Sequence, residues 1–94
     1  MKEIDMAPYE EYFTELERLY YERNANMSIV AYMSDRNFSN EQYDRVFQKY
    51  IISLKAYENY IPIFERNVVM PLCNNEQVHW IADFERRVLN VTSL

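Results

Sequence analysis

Few side chains in this chain are spaced for chemistry. Glu76-Gln77-Val78-His79 has the Glu-x-x-His spacing. On a helix that spacing sets a carboxylate and an imidazole on one face, an arrangement that di-iron carboxylate bundles use twice. The chain holds one histidine, so a metal centre through Glu76 and His79 needs a second copy or donors from elsewhere. The pattern lacks specificity and is read as an ordinary surface glutamate and histidine, so no metal or other cofactor is assigned. Cys73 lies six residues before His79. A helix N-terminus lowers a thiol pKa, but no third group stands ready to orient the pair. A lone cysteine among Val69, Pro71 and Leu72 reads as a small apolar core residue. No catalytic residue is assigned, and a binding role is expected in place of an enzymatic one.

Glycine is absent from all 94 residues. Phosphate-cradling loops, the dinucleotide fingerprint and the G-x-S-x-G elbow all need glycine, so that the backbone can approach a ligand. Primed hairpin turns lean on Gly or Asn, so a multi-strand sheet is disfavoured. Helices joined by Asn, Ser and Asp turns have no such need.

Charge is distributed unevenly. Residues 1–22 hold seven carboxylates against Lys2 and Arg18, a net of −5, and the other residues hold eight of each sign. Tyr9, Tyr12, Tyr20 and Tyr21 sit in the same acidic stretch. A helix face of carboxylates and phenols can attract a basic protein surface and then make desolvated aromatic contacts. Glu11, Tyr12, Glu15 and Tyr21 are the expected contact residues. The bland alternative is a solvated face in which Arg18 and Glu22 pair at i,i+4. The acidic balance argues against direct nucleic-acid binding, whose affinity comes from Lys and Arg on phosphates.

These residues need elements to position them. A leader of residues 1–7 precedes a first helix over about 8–34, with Pro8 in its first turn and Glu10 and Glu11 near the positive end of its dipole. Tyr9, Phe13, Leu16, Tyr20, Met27 and Val30 give its apolar seam, with Arg23 in one seam position. Ser39 and Gln42 form a capping box for a second helix over about 40–70. There Tyr43, Tyr50 and Tyr57 share one heptad position, and Phe47, Leu54, Ile61 and Val68 the other. Pro62 should kink that helix, and Pro71 ends it. Asn74 and Gln77 suggest a cap for a last helix over about 75–91, with Val78, Ile81, Phe84 and Val88 on one face. The expected fold is all-α: a long antiparallel helical hairpin plus a C-terminal helix, resembling a three-helix bundle in a single domain.

One cysteine permits no internal disulfide, the opening Met-Lys-Glu-Ile-Asp lacks a signal peptide's apolar run, and no stretch reaches the ~20 apolar residues that span a bilayer. A cytoplasmic, non-membrane protein is expected. The three N-x-S/T sequons, at Asn26, Asn37 and Asn90, are accordingly treated as accidental. Nine Tyr, five Phe and one Trp make 16% of the chain, more than three helices of this size can easily cover. The leading reading is a small interaction module, an adaptor or inhibitor that binds a protein partner and also self-associates. An oligomeric binder of a nucleotide or aromatic metabolite, with a tyrosine-lined interface pocket, is the alternative. A metal-dependent helical enzyme through Glu76 and His79 is the third.

Overall fold

A computed structural model describes residues 1–94. Strand β1 (Lys2–Asp5) leads through a 3-10 turn (Ala7–Tyr9) into helix α1 (Glu10–Ser34), and helix α2 (Asn40–Phe64) follows. α2 runs on through a π turn (Glu65–Val69) into a last short helical turn, α3 (Met70–Leu72). Strands β2 (Val78–Asp83) and β3 (Val88–Ser93) complete the chain. The strands form one antiparallel sheet in the order β1-β3-β2.

The helical hairpin is present, and the all-α expectation is corrected: the fold is α+β, not a helical bundle. Residues 75–91 form no helix, and the leader of residues 1–7 contributes an edge strand. The reason lies in two local conflicts. Val78, Ile81, Phe84 and Val88 do recur every three or four positions. The same stretch also alternates, with Val78, Trp80 and Ala82 on the inner side and His79 and Ile81 outward. In so short an apolar run periodicity alone does not separate strand from helix, and here β-branched and aromatic residues favour the strand. The second conflict is at Asn74, whose φ of 54° is left-handed. A helix N-cap is extended, so Asn74 cannot start a helix. Instead it ends one: the Asn75 N–H donates back to the Met70 carbonyl at 2.8 Å, the long bond of a Schellman ending. Asn74, Asn75 and Arg87 all have positive φ, so they do the work that glycine does elsewhere.

The Ser39 capping box forms in full. Ser39 Oγ accepts from the Gln42 N–H, and Gln42 Oε1 accepts from the Ser39 N–H, both at 3.1 Å. Pro62 does not divide α2, whose last residue is Phe64; the π turn follows within one turn of it.

Met6, Phe13, Leu16, Phe64, Val68, Val69, Leu89 and Val91 make the buried core. It lies where the base of the hairpin meets the inner face of the sheet. No residue between Leu16 and Phe64 belongs to it, so the outer part of the hairpin projects as a two-helix arm. The molecule measures 51 × 26 × 22 Å, its long axis set by helices of 25 residues, each about 37 Å. Neither helix is apolar enough over its length to cross a membrane.

Along the arm the seam differs from the expected one on α1. Leu19, Asn26 and Met33 turn inward, while Met27 is 46% exposed. Asn26 Nδ2 donates to Ser53 Oγ at 3.1 Å, and Ser53 Oγ donates to the Tyr50 carbonyl at 2.8 Å. Ser53, only 4% exposed, is the single buried polar residue. On α2, Tyr43, Tyr50 and Tyr57 hold half-buried seam positions, while Phe47, Leu54 and Ile61 flank them and are also half-buried.

Candidate functional site

Three places were marked by the sequence. Glu76 and His79 are not on one helix face: Glu76 is exposed in the loop before β2, and His79 is exposed on β2 opposite Thr92. Cys73 follows α3 and packs against the core beside Leu72.

The acidic helix face is α1. Glu11 and Glu15 share one solvent-facing stripe with Arg18 and Glu22, as their spacing requires. Arg18 is held by Glu15 on one side and by Glu22, at 3.0 Å, on the other. The Arg18 guanidinium lowers the Glu15 pKa, and Glu15 raises that of Arg18. Tyr12 and Tyr21 are nine residues apart, half a turn of helix net, so they flank this stripe on opposite sides. The Tyr12 carbonyl accepts from the Tyr60 hydroxyl at 3.2 Å on the α2 side. The Tyr21 ring meets Tyr20 edge-on and Phe84 at a tilt, with centroids 5.4 and 5.8 Å away.

The acidic segment is also tied to the end of its own chain. Glu3 pairs with Arg86, and Glu17 pairs with Arg87. Part of the charge asymmetry in the sequence is therefore spent on closing the sheet against α1.

Phe84 leads from the strand end to the largest groove, of about 630 Å³. Tyr20 and Leu16 of α1 and Tyr57 and Ile61 of α2 form its helical side, and the Trp80–Glu85 segment forms the other. Phe84 is locked among Phe13, Tyr20 and Tyr21, its ring 5.2 Å from the first two. Trp80 packs on Phe64 at 5.1 Å, and its Nε1–H donates to Glu65 Oε2 at 3.1 Å. The groove carries Asp83 and Glu85 and no lysine, arginine or histidine in its lining. Just beyond it, the Arg23 guanidinium lies 5.3 Å from the Tyr20 ring centre and 4.6 Å from that of Tyr57. Burial pushes the Tyr57 phenol above its ordinary pKa, Arg23 opposes the shift, and Tyr20 adds to it.

Sequence reasoning placed Tyr20, Tyr57 and Ile61 in the helix seam and missed the strand side. The alternation of Val78, Trp80 and Ala82 was the available signal for it. Comparison with protein-family models, curated proteins and solved structures finds no match.

Proposed function

We propose that this chain is a small protein-interaction module, an adaptor or inhibitor that presents its helical arm to another protein. The carrying observation is a face of α2 that continues past its cover. Ile61 and Tyr57 stand where the sheet meets the helices. Leu54, Tyr50, Phe47 and Tyr43 follow at three- and four-residue steps toward the tip, so they extend the same face. The sheet does not reach them, and they stay half-buried. Between Asn40 and Phe64 only Ser53 is buried.

Such a face gains from company. Covering a half-exposed leucine, tyrosine or phenylalanine contributes roughly 1 kcal/mol each, and aromatic residues are enriched where proteins meet. A second copy of the arm fits the same logic, since two helical pairs face to face make a four-helix arrangement.

The test is the double variant Phe47→Glu, Leu54→Glu. Sedimentation of the purified chain and affinity purification from its native host are each run with and without it. Loss of self-association, or of the proteins that co-purify, is the expected result. A variant that keeps its fold, mass distribution and co-purifying proteins would remove the arm from consideration.

A further inference from the structure

We infer that the free edge of β2 takes up an extended basic segment of a partner protein as a fourth strand, seated in the aromatic groove. This rests on the reading of the chain as an interaction module; the groove adjoins the arm face at Tyr57 and Ile61 but is lined by none of Tyr43, Phe47, Tyr50 and Leu54, which carry that reading.

The sheet order leaves β1 and β2 as edges. They are unlike. β1 has only four residues, three of them charged, Lys2, Glu3 and Asp5, the usual protection against pairing with another chain. β2 has six residues, and Ile81 on it is 72% exposed. No aspartate, glutamate, lysine or arginine interrupts it between Val78 and Ala82.

The ladder fixes which β2 groups face outward. The Met6 N–H donates to the Arg87 carbonyl at 3.0 Å on the β1 side. Antiparallel bonding alternates, so Leu89 and Val91 also turn their peptide groups to β1, and Val88, Asn90 and Thr92 turn theirs to β2. Their partners are Asp83, Ile81 and His79. Trp80 and Ala82 therefore point their N–H and C=O groups away from the sheet, along its free edge. Both residues also line the groove. A strand laid on that edge would gain backbone bonds from them and cover the rings of Tyr20 and Tyr57 with its side chains, the mode by which sheet edges bind peptides.

Charge selects the occupant. Asp83 and Glu85 lie at the turn end of the groove, and neither forms an ion pair with another side chain. A lysine or arginine of the incoming segment meets them there. The aromatic walls accept cations too, as Arg23 over Tyr20 and Tyr57 demonstrates. Arg23 repels a second cation at the helical end, so the basic residue belongs at the Asp83–Glu85 end, with apolar residues over Tyr57 and Ile61.

A random decapeptide display library selected on the intact chain tests this. Enrichment of sequences alternating apolar residues with Lys or Arg is expected. Ala82→Pro deletes an outward N–H without touching the ladder, and should weaken the enriched peptides at least tenfold, read by fluorescence of Trp80, the sole tryptophan. Asp83→Asn, Glu85→Gln should weaken them several-fold, and Phe47→Glu, Leu54→Glu should leave them unchanged. Acidic or no enrichment, or equal binding by a folded Ala82→Pro chain, overturns the proposal. A change of oligomeric state with Ala82→Pro also overturns it, by showing that the edge holds a second copy. The arm reading fails separately, on its own variant.

Discussion

Arg87 Nη1 donates to Glu17 Oε1 at 2.8 Å across a sequence separation of 70 residues. The same guanidinium donates from Nη2 to Thr14 Oγ1 at 2.9 Å and lies 4.8 Å from the centre of the Phe13 ring. Its backbone accepts the Met6 N–H through the carbonyl and holds φ at 57°. One residue thus joins the β2–β3 turn, the end of β1 and the first turns of α1. A left-handed φ costs a side-chain-bearing residue about 1 kcal/mol or more, and the anchors offset it.

Those opposed terms give a prediction. Arg87→Ala keeps the strain and loses the anchors, so it should destabilise the fold by about 2 kcal/mol. Arg87→Gly loses the same anchors but releases the strain, and should recover about 1 kcal/mol of that loss. Urea unfolding of both variants decides the matter. Equal stabilities, or a less stable glycine variant, would show that the backbone conformation is not what the side chain compensates.

Asn26 and Ser53 make a second long-range pair, inside the arm. Ser53→Ala leaves the Asn26 amide without its partner and should cost about 1 kcal/mol. Asn26→Leu with Ser53→Ala replaces a polar pair by apolar packing and should restore or exceed the original melting temperature. The pair also marks the register of the two helices, as a buried polar residue does in coiled coils. The double variant is therefore expected to unfold over a broader transition. A melting curve as sharp as the parent's would show that apolar packing alone sets the register.

The hairpin was legible because its signals agree: the Ser39–Gln42 box and the Tyr43-Tyr50-Tyr57 repeat point to one helix. The α1 seam was half legible. Reading by hydrophobicity chose Met27, whereas the structure turns Asn26 inward because Ser53 stands opposite to receive its hydrogen bond. The sheet was illegible for a different reason. Its turns use Asn74, Asn75 and Arg87 in conformations usually given to glycine, so the absence of glycine misled. β1 is four residues long and mostly polar. It pairs with β3, nearly the whole chain away, and nothing local announces such a partner. The groove needed the sheet and so went unseen with it.

Two phenols carry a pH prediction. Burial is the largest cause raising the pKa of both Tyr57 and Tyr60. The negative charge of Glu15 adds to the shift at Tyr60. Both phenols stay protonated in the fold at a pH where the unfolded chain has begun to lose those protons. Between the ordinary phenol pKa near 10 and the raised folded value the native state binds more protons, so stability falls as pH rises through that window. Below it the contribution is fully present. Absorbance titration near 295 nm should show phenols that ionise later than the rest, and Tyr57→Phe and Tyr60→Phe should each remove one. Simultaneous ionisation of all the tyrosines in the native protein would contradict the burial argument.

The solvent-facing stripe of α1 offers a test of electrostatic steering. Glu11 is exposed and forms no ion pair with another side chain, whereas Glu15 shares Arg18 with Glu22. Reversing Glu15 therefore also removes one of the two partners of Arg18 and sets a second cation beside it. Glu11→Lys is the cleaner probe. If a basic partner approaches this stripe, Glu11→Lys should slow association a few-fold at low salt and leave dissociation nearly unchanged, because an exposed charge acts on encounter more than on the docked state. Glu11→Lys with Glu15→Lys should slow it further and flatten its dependence on ionic strength. Stopped-flow measurement with the co-purified partner separates the two rates. Exposed pairs such as Arg18–Glu22 contribute little to folding, so neither variant should shift the melting temperature by more than a degree or two. Association rates equal to the parent's at low salt would leave Glu11 and Glu15 as ordinary solvating residues and place the encounter elsewhere on the molecule.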